Sequence, residues 1–130
     1  MPGILYNWNG NGWTKVVPPS PTEDFRAVWG TGPNDAWTVT GVGRASHWDG
    51  MVWSPLTRLT TSDLRGVWGP TPNEFWAVGD DSRIFRWDGM MWGHELAAGA
   101  AFGSKYSIWG PPKGMRFIPS DNGVILQRRP

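Results

Sequence analysis

The sequence predicts an all-β protein, a β-propeller of four-stranded antiparallel blades with about three blades in the chain. Three observations predict it. Eighteen glycines and twelve prolines among 130 residues make the composition turn-rich, roughly double the usual share of these two residues. Eleven tryptophans give a large aromatic surface to bury, which disordered chains lack. Those tryptophans recur about every 40 residues, the period of a propeller blade.

Four strands, A to D, are expected in each unit. Ile4-Leu5-Tyr6-Asn7-Trp8 reads as a C strand, followed by a turn at Asn9-Gly10 and a D strand over 13–17. The first full unit has A at 25–29, B at 36–39, C at 45–48 and D at 52–56. The second has A at 64–68, B at 75–78, C at 83–87 and D at 91–94. Both A strands alternate apolar residues with small or charged ones, the period of a half-buried strand. Asp49-Gly50 and Asp88-Gly89 fit hairpins of type I′, whose two central residues need positive φ. The last unit has A at 105–109, B at 115–118 and C at 124–128, with Arg116 or Phe117 where tryptophan is expected and Gln127-Arg128 where Trp-Asp is expected. The domain organisation is therefore one run of blades over 1–130: a partial blade at 4–17, blades at 25–56 and 64–94, and an incomplete one at 105–128.

The repeats carry this assignment. Val28-Trp29-Gly30 returns as Val67-Trp68-Gly69 and as Ile108-Trp109-Gly110; Pro33-Asn34-Asp35-Ala36-Trp37 returns as Pro72-Asn73-Glu74-Phe75-Trp76. Trp8-Asn9-Gly10, Trp48-Asp49-Gly50 and Trp87-Asp88-Gly89 are each followed by a second tryptophan: Trp13, Trp53 and Trp92. Over nearly the whole chain this string resembles the tryptophan-rich propeller repeats of bacterial proteins, similar in layout to WD-repeat and Asp-box propellers. The resemblance implies a propeller and says little about activity, because such scaffolds host many functions.

Thirteen expected strands are slightly more than three blades, whereas a ring needs about four to eight. Head-to-tail association would close a six-bladed homodimer, leaving the first C strand surplus; the alternative is a piece of a longer propeller.

Composition excludes several function classes. With no cysteine and two histidines there is no basis for a cysteine-ligated or histidine-rich metal centre, and no cofactor is expected. A net charge of +1 gives no footprint for nucleic acid or an acidic membrane. No apolar run approaches a membrane span, and the first residues lack the features of a secretory signal, so the expected location is the cytoplasm. There is no G-x-S-x-G elbow or H-E-x-x-H pair. A sialidase-type site needs a tyrosine nucleophile with an acidic partner, and neither Tyr6 nor Tyr106 has a supporting motif.

The expected function is therefore a non-enzymatic binding module for a carbohydrate or a protein. The alternative is a structural module that assembles by strand exchange between chains. Trp13, Trp53 and Trp92, on the outermost strand, are candidates to stack a ligand; Trp29, Trp37, Trp68 and Trp76 read as blade-to-blade packing. Asp80 and Asp81 in the B–C loop are further candidates, with Arg44 and Arg83 at the start of strand C. They could contact sugar hydroxyls or an anion, or simply cap turns. His47 reads as a half-buried strand residue.

Overall fold

The computed structural model describes residues 3–95, 103–104, 107–121 and 125–128. Among them are twelve strands in four antiparallel sheets. A hairpin of β1 (Leu5–Trp8) and β2 (Trp13–Val16) comes first. Blade 1 follows as β3 (Phe25–Gly32), β4 (Asp35–Thr40), β5 (Arg44–Trp48) and β6 (Thr57–Arg58), paired in that order. Blade 2 is β7 (Leu64–Thr71), β8 (Glu74–Gly79), β9 (Ile84–Trp87) and β10 (Trp92–His94). The last unit holds β11 (Arg116–Pro119) and β12 (Ile125–Arg128).

Three expectations need correction. The D strand of blade 1 is not at 52–56. Trp53 makes a single bridge to Trp48, and regular pairing resumes only at β6. Pro55 lies between the two, where it has no N–H to offer the ladder. Of the A strand expected at 105–109, the described residues 107–109 show one bridge, Trp109 with Phe117; residues 105–106, like Asn122 and Val124, lie outside the described residues. The Asp-Gly turns are not two-residue hairpins, because Gly50 and Gly89 adopt positive φ but the aspartates do not. Instead Asp49 Oδ1 accepts the backbone N–H groups of Met51 and Val52, and Asp88 Oδ1 those of Met90 and Met91. These bonds hold both carboxyls below the usual range. A pair of positive φ angles occurs at Asp81 and Ser82, in the tight turn from β8 to β9.

The core lies between blades rather than within them. Trp37 on β4 reaches into blade 2, its ring 6.4 Å from Phe75, 4.9 Å from Trp87 and 5.0 Å from Trp92. Val39, Ala45, Leu64, Val67 and Ala77 complete this layer. One repeat later Trp76 takes the place of Trp37 and packs with Trp68, Val78, Ile84, Ile108 and Ile118. On the innermost strands Trp29 Nε1 donates to the Gly69 carbonyl of the next blade at 2.8 Å. The side chain that alternates in sequence is thus the wedge between neighbouring sheets.

Candidate functional site

The ends of each blade carry different chemistry. At the end formed by the D–A and B–C connections, charge alternates across two blades. The pairing of β3 with β4 slips between Phe25 and Ala27, and that of β7 with β8 between Leu64 and Gly66. Arg26 and Arg65 are the extra residues of these bulges, which re-aims them. Arg26 contacts Asp24 at 3.2 Å and, across the blade boundary, Asp63 at 3.4 Å. Arg65 contacts Asp63 at 3.4 Å and Asp80 through Nε at 2.7 Å. The strip reads Asp24–Arg26–Asp63–Arg65–Asp80, each carboxylate facing a guanidinium. Among the described residues no three metal-ligating side chains come together.

The candidate residues of this end divide. Asp80 belongs to the strip, and Asp81 beside it accepts the Ser62 hydroxyl. Arg44 pairs instead with the buried Glu23 of its own blade at 2.9 Å. Arg83 is half-buried, with no partner for its Nε among the described residues. The hydrogen bond from Arg65 is the main cause that holds the Asp80 carboxyl below its usual range, against the opposing effect of burial. A depressed carboxyl stabilises the fold above its unfolded pKa, near ~3.9, and loses that contribution as pH falls through the folded value. The urea midpoint is therefore expected to drop on acidification below about pH 4, and more weakly in Arg65→Met. Equal acid limbs in the two proteins would rule out this pair as a source of the drop.

At the outer rim the tryptophans pair across each C–D connection: Trp8 with Trp13 at 5.4 Å, Trp48 with Trp53 at 5.5 Å, Trp87 with Trp92 at 5.9 Å. The three candidates are not equivalent. Trp92 lies edge-on to Trp37 and is half-buried. Trp53 is half-buried on Trp48, and neither Trp53 nor Trp92 finds an acceptor for its indole N–H among the described residues. Trp13 is 69% exposed.

Beside Trp53 runs a groove of about 470 Å³ between β2 and the Trp53–Pro55 segment. Its walls are almost wholly apolar: Val16, Val17 and Pro19 on one side, Met51, Val52 and Pro55 on the other. Val17 is 85% exposed, Met51 83% and Val52 61%. The corresponding turn of blade 2 presents Met90 and Met91, also exposed. Sequence reasoning saw Trp53 here and missed the valines and methionines. Their signal was the apolar pair directly after each Asp-Gly, where a turn is ordinarily polar.

A second cleft, of about 430 Å³, opens between blades 1 and 2. Trp37, Trp87 and Pro72 line it with His47, Asp35 and Ser54. His47 Nε2 lies 2.6 Å from Asp35 Oδ1, and the Ser54 hydroxyl accepts the His47 backbone N–H rather than meeting its ring. His47 and Asp35 depart from the repeat, which has Arg86 and Glu74 at those positions. That departure is the sequence signal for the cleft.

No protein-family model matches the sequence, and no curated protein matches it. Among solved structures the chain is similar to "YCF48 bound to D1 peptide", with a TM-score of 0.80 and 18% identity, over 98% of this chain and 44% of that one. At such identity the likeness speaks for the fold, and the fold is that of a β-propeller. The chain spans less than half the length of that propeller.

Proposed function

We propose that the chain is a non-enzymatic binding module that uses a propeller scaffold to hold an extended protein segment at its outer rim. One observation carries this reading: the exposed apolar row of Val17, Met51 and Val52 along the groove floored by Trp53. Apolar area held in water is an association surface, and unbranched methionine adapts to varied partner side chains. Ser54 is the sole polar residue lining this groove, which suits aliphatic or proline side chains better than sugar hydroxyls. The propeller to which the chain is similar was solved with a bound peptide, which supports the same class of ligand. The non-enzymatic part rests on the His47–Asp35 pair, whose neighbouring Ser54 hydroxyl is occupied by backbone.

Carbohydrate is the second reading, and the cleft of Trp87, His47 and Asp35 favours it, since tryptophan stands there beside polar groups. Probing a peptide array and a glycan array with the purified chain separates the two. Peptide signals rich in aliphatic residues and proline are expected. They should fall about tenfold or more in the double variant Met51→Ser/Val52→Ser, whose changed side chains are exposed and leave the fold intact. Glycan signals on a silent peptide array would overturn the proposal and move the site to the cleft.

A further inference from the structure

In blade 2 a carboxylate, an indole and guanidinium groups stand together. Glu74 on β8 accepts the Trp76 indole N–H at 3.0 Å and pairs with the Arg116 guanidinium at 2.8 Å. A second guanidinium, that of Arg86 on β9, lies 5.8 Å from the Trp76 ring centre, and its charge also favours the Glu74 carboxylate. Arg116 in turn stands 4.9 Å from the Trp68 ring centre. Ion pairing and cation–π attraction therefore act on the same cations at this place in the repeat.

One repeat earlier the carboxylate and the indole are kept and the guanidinium groups are not. Asp35 stands for Glu74, Trp37 for Trp76, His47 for Arg86 and Phe75 for Arg116. The His47 ring lies 4.9 Å from Trp37, where blade 2 has the Arg86 cation. Neither imidazole nor benzyl supplies the permanent charge and fork of donors of a guanidinium. Asp35 Oδ1 meets His47 Nε2 at 2.6 Å, and Oδ2 accepts the Thr31 hydroxyl. A carboxylate has about four lone-pair sites, so these two contacts leave it able to accept more. Among the described residues no arginine or lysine pairs with Asp35. Arg86 is turned away from it, because alternation along β9 sends Trp87 toward Trp37 and Arg86 to the opposite face, over Trp76.

The cleft of about 430 Å³ between blades 1 and 2 opens at this place, with Asp35, His47, Trp37, Trp87 and Pro72 in its walls. Asp35 and Trp87 are half-buried, so a ligand reaches both while the walls keep much of the water out. We propose that this cleft binds a guanidinium, the head group of an arginine side chain brought by a ligand. The N–H fork bonds the Asp35 carboxylate and the cation lies against Trp87, which reproduces in trans what Arg86 and Arg116 do in blade 2. A planar guanidinium suits the site better than an ammonium, since it pairs with carboxylate through two parallel bonds and stacks on an aromatic face. The site is separate from the rim groove in its chemistry: it selects a cation, whereas the row of Val17, Met51 and Val52 selects apolar side chains.

Titrating the nitrogen-15-labelled full chain with N-acetylarginine amide tests the assignment, read at the indole N–H signals of Trp37 and Trp87. Saturable shifts of both are expected, with a dissociation constant on the order of 1–10 mM for so small a probe. N-acetylnorleucine amide, which has a similar stem and no charge, is expected to leave them in place. Asp35→Asn should weaken the arginine probe about tenfold or more. His47→Arg installs the residue that the repeat carries in blade 2; it should abolish binding while signals away from the cleft stay put, and it decides the matter even if Asp35→Asn fails to fold. The probe has neither proline nor a branched aliphatic side chain for the rim groove, so a silent peptide array would leave this result standing, and failure here would leave the rim reading intact. Unmoved indoles, an equal response to the norleucine probe, binding that survives His47→Arg, or shifts with glucose but not with arginine would each overturn the assignment.

Discussion

Phe75→Ala is expected to lower the stability of the fold by about 3–5 kcal/mol, among the largest effects any single substitution in the chain can have. Phe75 is fully buried on β8 and forms one wall of the socket around Trp37. Its removal forfeits the transfer free energy of the ring and leaves a void that Trp37, held against Trp87 and Trp92, is not free to fill. A single domain commonly has about 5–15 kcal/mol in total, so a large fraction of the stability rests on this contact. Urea unfolding at fixed protein concentration should show the midpoint falling with the slope unchanged. A loss under about 1 kcal/mol would mean that the layer between blades 1 and 2 is not the centre of the core.

The same position explains what was legible in the sequence. Ala36 is the counterpart of Phe75, so the repeat alone identifies a socket with one wall missing. The tryptophan spacing fixes which strands face one another, because a wedge-shaped gap between sheets needs a large flat side chain at the same place in every blade. Other features depend on neighbours that are distant in sequence. Trp53 and Trp92 occupy one repeat position, yet Trp92 is covered by Trp37 while the cavity beside Trp53 is lined by Leu5, Tyr6 and Val16. Period-two reading put Arg26 and Arg65 in step with the rest of strand A. A bulge at each takes them out of step and onto the ionic strip, and the recurring Asp24 and Asp63 were the available hint. Pro55 was visible all along; its effect on strand D follows from ladder pairing that only the register of β5 with β6 reveals. The candidate residues also divided between opposite ends of the blades. Spacing along the chain reports which strand or turn a residue occupies, and ligand chemistry depends on which turns converge.

At the boundary of blade 2 and the last unit the wall residue is Arg116, the counterpart of Phe75, and the second large effect is expected there. Arg116 is buried; it pairs with Glu74 at 2.8 Å, and its guanidinium lies 4.9 Å from the Trp68 ring centre. It also donates to the carbonyls of Pro111 and Gly114, tying that loop to the sheet. Arg116→Met keeps the volume and removes all of these, leaving the partly buried Glu74 carboxylate with only the unbonded charge of Arg86 to oppose its own. The expected cost is about 3 kcal/mol. Most of it should return in the double variant Arg116→Met/Glu74→Gln, because what destabilises is the uncompensated charge rather than the lost attraction. The pH dependence distinguishes this account from a simple packing defect. Burial pushes the Glu74 carboxyl up, but hydrogen bonds from Trp76 and Arg116 outweigh it and hold the group below its ordinary value. In the wild type this contribution is present above the unfolded pKa, near ~4.3, and is lost as pH falls through the depressed folded value. Without Arg116 the burial effect meets less opposition, the folded pKa rises, and protonating Glu74 relieves the buried charge. The gap in stability between wild type and Arg116→Met should therefore be widest near neutral pH and close as both carboxyls protonate on acidification. A gap that stays constant from pH 7 down to about pH 3 would assign the cost to lost packing and to the freed 111–114 loop instead.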